Sequence, residues 1–264
     1  DIMIRLIALD LDNTLLEKNN QIHPRTLSLL RRCSENDISV VIATGRLLLS
    51  AQKYARQIGP HCKIICYNGC LVTESDGTQL FSAHLSVEMM RKIVTFCKER
   101  NLYCQFYSDH KILVEKVTEE TTIDPDLANT EAIEAGSFNG YPFSPSPKAM
   151  IVAPPGSVPG YIEELNEFLE GGAYLAQSQP YLIEIMPENI NKAHSLKLLC
   201  SHLNIFRDEV MACGDNSNDA EMLEWAGTGV AVANSVESLR PLASYICKEE
   251  RSLGVAEAIE KFCM

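Results

Sequence analysis

Unbroken apolar runs alternate with stretches of helical period at both ends of the chain. Residues 4–9 (IRLIAL) form the first run, and it stops at acidic positions. Such a run suits a strand buried on both faces, as in a parallel sheet. After His23-Pro24 the pattern turns helical (TLSLLRRCSEN). A second apolar run covers residues 38–43 (ISVVIA), a second helical stretch 47–58, and a third run 63–67 (KIICY). This β-α-β-α-β order predicts a doubly wound open sheet, which binds its ligands at the carboxyl ends of its strands.

The texture changes near Leu71. LVTESDGTQLF reads as a hairpin turning at Asp76-Gly77. A helix is predicted over 87–100, with strands near 103–107 and 112–114. Residues 118–147 are rich in Thr, Pro, Asn, Gly and Ser and show no period. A strand at 149–153, a helix at 160–170 and strands at 173–176 and 181–186 follow. From Pro187 the doubly wound pattern returns, with helices at 194–203, 220–225 and 254–262 and strands at 209–213 and 229–232. The expected fold is therefore α/β. A parallel-sheet, Rossmann-like core spans 1–82 and 188–264, and an α+β domain is inserted at 83–187.

Composition narrows the function classes. The 264 residues are 46% hydrophobic and 22% charged, an ordinary globular balance. The formal net charge of −12 disfavours nucleic acid and anionic lipid as partners. A site for an anionic substrate must then supply its own positive charge, from a metal, Lys, Arg or backbone N–H groups. The ten cysteines are scattered and form no C-x-x-C. Cys62, Cys66 and Cys70 recur every four residues, a spacing that on a strand and turn gathers no thiolates around one ion. Reduced thiols in a cytoplasmic protein are expected. The chain opens on no leader pattern and has no apolar run of about 18 residues, so no membrane span is expected. A monomer is the default.

Four constellations follow predicted strands or open predicted helices. In Asp10-Leu11-Asp12-Asn13-Thr14-Leu15, alternation along an extended chain would put Asp10 and Asp12 on one side. Two such carboxylates repel, which favours a bound cation or a proton on one of them. One can then serve as nucleophile and the other as proton donor, although a lone Asp pair is more often a solvated turn. In Ala43-Thr44-Gly45-Arg46, a hydroxyl and glycine at a strand-to-helix junction can hold a phosphate oxygen; Thr44 can equally be a helix cap. Lys192 can meet a phosphate or the acidic residues, though by itself it reads as an exposed lysine. Gly214-Asp215-Asn216-Ser217-Asn218-Asp219 brings hard oxygen ligands that suit Mg²⁺ to the same sheet edge. Its plainer role is an Asx-rich turn capping the next helix.

Together and in this order the four stretches resemble the haloacid dehalogenase superfamily, and within it the Cof-type phosphatases with a subclass IIB cap. The resemblance covers the whole chain, including Tyr67-Asn68-Gly69, Glu184-Ile185-Met186-Pro187 and Asn234-Ser235. It implies that Asp10 attacks phosphorus and becomes an aspartyl phosphate. It implies too that Asp12 protonates the leaving alcohol and later takes a proton from water. Mg²⁺ would be held by the Asp10 carboxylate, the Asp12 main-chain carbonyl and Asp215, with Asp219 in support. Thr44, Gly45, Lys192 and Asn218 would surround the phosphoryl oxygens. Asn13 and Ala193 stand where many relatives have Gly; Asn tolerates a left-handed backbone nearly as well. Carbon–halogen chemistry is disfavoured because it needs no acid/base such as Asp12.

The implied substrate is a small soluble phosphate ester, with sugar phosphates ahead of pyridoxal phosphate or flavin mononucleotide. The inserted domain would choose the leaving group, with Tyr107, His110, Lys148 and Tyr181 as candidate contacts. A phosphotransferase or mutase would use the same intermediate with an acceptor alcohol in place of water. A regulatory phospho-acceptor needs neither Asp12 nor the insertion.

Overall fold

The computed structural model describes residues 3–264. In chain order the first elements are β1 (Leu6–Leu9), α1 (Pro24–Glu35), β2 (Ser39–Ala43), α2 (Leu48–Ile58), β3 (Lys63–Cys66), β4 (Leu71–Thr73) and β5 (Gln79–Ser82). The inserted stretch holds α3 (Val87–Arg100), β6 (Tyr103–Ser108), β7 (Lys111–Val114), β8 (Ala132–Glu134), β9 (Ala149–Val152), α4 (Val158–Phe168), β10 (Ala173–Gln179) and β11 (Leu182–Pro187). The chain ends with α5 (Lys192–Leu203), β12 (Val210–Gly214), α6 (Ala220–Trp225), β13 (Thr228–Ala231), β14 (Tyr245–Ile246) and α7 (Arg251–Phe262).

Two compact units result, one of residues 3–81 with Lys192–Met264 and one of Ser82–Asn191. In the first, an eight-stranded sheet runs β14-β13-β12-β1-β2-β3-β4-β5. The strands from β14 to β3 pair in parallel and β4 returns antiparallel to β3. The two ends of the chain therefore build one sheet. β1 lies at its centre, with Leu9 level with Ile42 of β2 and Cys213 of β12. All four β1 side chains are fully buried, as a strand covered by helices on both faces requires. Each large aliphatic side chain there contributes about 1.5–3 kcal/mol relative to exposure. This register brings the residues after β1, β2 and β12 to one edge.

In the second unit a six-stranded sheet runs β10-β11-β9-β6-β7-β8. α3 and α4 supply Ile93, Phe96, Val158 and Leu165 to a core shared with Phe106, Ile151 and Ile183. α3 matches its sequence pattern because Ser86 caps its start and Asn101, in the left-handed region, ends it. The aperiodic 118–147 segment sends Phe138 and Phe143 into that core and is held besides by buried polar groups. Asp124 accepts from Gln105 Nε2 (2.6 Å) and Tyr107 Oη (2.7 Å), and Lys148 donates to Glu184 at 2.6 Å. Tyr107 and Lys148 thus lie inside this buried network, whereas His110 and Tyr181 sit half-buried at turns. Burial, followed by Asp124, pushes the Tyr107 hydroxyl well above its ordinary value.

Candidate active site

The chain does not continue as a strand past Asp10. Leu11–Leu15 forms one helical turn, with Asp12 extended and Asn13 left-handed at φ 61°. The turn is closed by Leu15 N–H donating to the Asp10 carbonyl (3.2 Å) and Leu16 N–H to that of Leu11 (2.9 Å). Asp10 itself is buried, and its N–H is fixed on the Cys213 carbonyl at 3.0 Å. Thr14 Oγ1 donates to Asp215 Oδ1 at 3.0 Å, tying the turn to the loop after β12.

Lys192 opens α5 and is 1% exposed, so its plain reading as a surface lysine is overturned. Its ammonium donates to Asp10 Oδ1 (2.6 Å) and Asp219 Oδ1 (2.7 Å). The second Asp219 oxygen accepts from the N–H groups of Asp215 (3.0 Å) and Asn216 (3.2 Å). Gly214 is needed for this fold-back, because a Cβ there would lie 2.6 Å from the Asp219 Cβ and 2.7 Å from its carboxylate carbon. Gly214→Ala is expected to displace Asp219, lowering Tm and raising by about 10-fold or more the Mg²⁺ concentration at which the cation stabilises the fold. Thermal melts with and without Mg²⁺ check this; a variant with wild-type Mg²⁺ response would show that the loop tolerates the shift.

Asp10, Asp215 and Asp219 offer carboxylate oxygens that all lie within 4.8 Å of one another. One ammonium faces three buried carboxylates, an imbalance that a divalent cation with hard oxygen ligands would correct. Burial, then the Asp219 charge, pushes the Asp10 carboxyl well above its ordinary range. The same two causes push Asp215 from 3.8 up to about 7. Burial alone would depress Lys192, but Asp10 and Asp219 outweigh it and hold the ammonium charged far above neutrality. The donor set thus fits Mg²⁺, with Asp10, Asp215 and Asp219 as the side chains available to hold it. The Asp12 carboxylate stands outside this group.

A pH dependence follows. In chelator, folded Asp215 keeps its proton up to about pH 7, whereas the unfolded chain releases it near pH ~4. The folded state binds more protons between these values, so the chelated protein loses stability as pH rises through that window. Cation binding needs the deprotonated carboxylates. The rise in Tm on adding Mg²⁺ is therefore expected to be larger at pH 8 than at pH 6. Equal rises in calorimetry would remove Asp215 from the ligand set.

Asp12 meets a partner that sequence reasoning left unassigned. Arg46 Nε and Nη2 donate to its two carboxylate oxygens at 2.8 and 2.5 Å, and the guanidinium side chain is 7% exposed. Arg46 stood in the motif with Thr44 and Gly45, and its position after a buried strand was the available signal. Thr44 is buried, and its Oγ1 accepts from the Arg46 N–H at 3.1 Å. It is not a helix cap: α2 begins at Leu48. Asn68, also left-handed at φ 54°, donates its N–H to the Thr44 carbonyl (2.9 Å). Asn218 Nδ2 reaches the Asn68 Oδ1 at 3.4 Å. Gly45 leaves room for that amide, since a Cβ there would come 3.0 Å from Asn68 Oδ1. Asp10, Lys192, Asp215 and Asp219 thus converge, and Thr44, Gly45 and Asn218 gather around Asn68.

The family profile of the haloacid dehalogenase-like hydrolases matches residues 7–259. The chain belongs to this family. It is 27% identical over 270 residues to a 5-amino-6-(5-phospho-D-ribitylamino)uracil phosphatase of Bacillus subtilis, covering 97% of each chain. A haloacid dehalogenase-like hydrolase from Bacteroides thetaiotaomicron superposes with a TM-score of 0.84 at 30% identity, over 98% of this chain and 99% of the other. A subclass IIB sugar phosphatase shares the fold at a TM-score of 0.80 and 19% identity, over 98% of both chains. Among the described residues no helix is long and apolar enough to cross a membrane.

Proposed function

We propose that the chain is a Mg²⁺-dependent phosphatase that hydrolyses small phosphate monoesters through an aspartyl phosphate on Asp10. The observation that carries this reading is the buried Asp10 carboxylate held 2.6 Å from Lys192 within the Asp215 and Asp219 cluster. A carboxylate there is fixed by an ammonium and presented at the carboxyl edge of the sheet, where doubly wound folds bind ligands. Mg²⁺, when bound, would neutralise phosphoryl charge that the chain's excess of acidic groups cannot. Asp10 attacks phosphorus in line as the ester P–O bond breaks. Asp12 supplies the proton to the departing alcohol, and later takes one from the water that cleaves the acyl phosphate. Both Asp12 oxygens accept from Arg46 in the resting arrangement, so these proton transfers require the Asp12–Arg46 ion pair to open as substrate binds. Lys192 and the Thr44–Gly45 segment hold the phosphoryl oxygens, with Asn218 beside them, so that catalysis is mostly positioning and charge neutralisation.

Sugar or sugar-alcohol phosphates are the favoured substrates. One relative is named for a phosphoribityl compound and one structural neighbour is named a sugar phosphatase. Choice of leaving group is assigned to the inserted cap domain, residues 83–187. The free thiols support a cytoplasmic location.

The test is phosphate release from a panel of sugar, sugar-alcohol and cofactor phosphates, with Mg²⁺ and again in excess chelator. Selective release that stops in chelator is the expected result. Release that persists undiminished in chelator would overturn the metal assignment, and no release from any ester would overturn the phosphatase reading.

A further inference from the structure

The turn after β13 touches three separate segments of the core. Val236 N–H donates to the Asp215 carbonyl at 2.9 Å, and Ala233 N–H to the Glu249 carbonyl at 3.1 Å. Between them, Asn234 uses both ends of its amide. Its Nδ2 donates to the Asn13 carbonyl at 2.9 Å, and its Oδ1 accepts the N–H of Arg251, the first residue of α7, at 2.8 Å. Asn13 is the left-handed residue of the Leu11–Leu15 turn, flanked by Asp12 and Thr14. Asn accepts this conformation at little cost, so the direction of the Asn13 peptide is set by the contacts made to it.

We propose that Asn234 is a positioning residue for the phosphatase reaction, holding the Asn13 peptide so that Asp12 keeps its place and Thr14 its hydrogen bond to Asp215. The inference rests on the reading of the site given above. Asn234 never touches the reacting atoms; it acts through the backbone of the turn. Because the same β13 turn also holds the Asp215 carbonyl, one short segment sets the separation of the two loops that the Thr14–Asp215 hydrogen bond spans. Losing the Asn234 donor removes the tie at the Asn13 peptide, leaving Thr14–Asp215 and the Lys192 bridge between Asp10 and Asp219 to keep the loops in register. Small displacements of a reacting group cost large factors in rate.

A role limited to anchoring α7 makes a different prediction. Asn234→Asp keeps an oxygen for the Arg251 N–H but sets an oxygen against the Asn13 carbonyl. Asn234→Ala removes the donor without adding charge. Both variants are compared with the wild-type protein in Mg²⁺ by kcat and KM on the best ester of the panel. Hydrogen exchange is followed in parallel over residues 11–16, whose Leu15 and Leu16 N–H groups close the turn. In both variants kcat is expected to fall about 10–100-fold with KM changed less than about twofold. Exchange over 11–16 is expected to quicken about 10-fold or more, while β2 keeps its protection. Wild-type kcat in either variant, or unchanged exchange over 11–16, overturns the proposal. Should the wild-type protein release no phosphate, the phosphatase reading fails, and exchange alone decides whether Asn234 holds the turn.

Discussion

Asp10→Asn is expected to abolish phosphate release, by a factor on the order of 10⁴ or more, the scale seen when a nucleophile is removed. An amide oxygen is a poor nucleophile toward phosphorus and cannot form an acyl phosphate that water then hydrolyses. The fold should not suffer. The Asp10 carboxyl is pushed up by burial and by Asp219, so its charge is a burden on the chelated protein at neutral pH. Asn removes one of three crowded carboxylates while keeping an oxygen for the Lys192 ammonium 2.6 Å away. In excess chelator at pH 8 the variant is therefore expected to melt no lower than wild type. A folded variant retaining a tenth of wild-type kcat, by the phosphate assay, would remove Asp10 as nucleophile.

How far the sequence could be read depended on what buries each residue. Apolar burial leaves a period or a run, and β1, β2, β12 and α3 were legible for that reason. Polar burial leaves none. α5 was expected from 194 but begins at Lys192, because two carboxylates rather than an apolar face bury that lysine. The 118–147 segment is held by the Asp124 hydrogen bonds to Gln105 and Tyr107 and by the isolated Phe138 and Phe143, none of which follows a 2.0 or 3.6 repeat. β14 is two residues long and draws its place from pairing with β13. At the site, acidic and glycine-containing stretches after apolar runs could be picked out, but which atoms meet could not. The Arg46 contact to Asp12 joins residues 34 apart, and the Asn234 contact to Asn13 joins residues 221 apart. Strand geometry stops at Asp10, since Leu11 is already helical between the extended Asp10 and Asp12, and the left-handed Asn13 then turns the chain.

Lys192→Met is expected to damage stability and rate together. Met keeps most of the buried stem, so the loss reports the charge rather than a cavity. Without the ammonium, Asp10, Asp215 and Asp219 face one another with no cation, and breaking a buried ion pair on one side costs about 3–5 kcal/mol. The carboxylates can escape part of that cost by taking up protons. The folded values of Asp10 and Asp215 would then rise further, the folded state would hold more protons than the unfolded chain, and the deficit would grow as pH rises from about 4 through 8. Denaturant titrations of the chelated protein should accordingly show a larger loss at pH 8 than at pH 5. Saturating Mg²⁺ should recover part of it by mass action. The rate is not recovered in this way. Lys192 neutralises charge on the phosphoryl oxygens in the proposed reaction, and losing one such donor lowers kcat by about 10²–10³. A loss of stability equal at both pH values would mean that the three carboxylates do not share their protons with this lysine, and the electrostatic account of the site would fall with it.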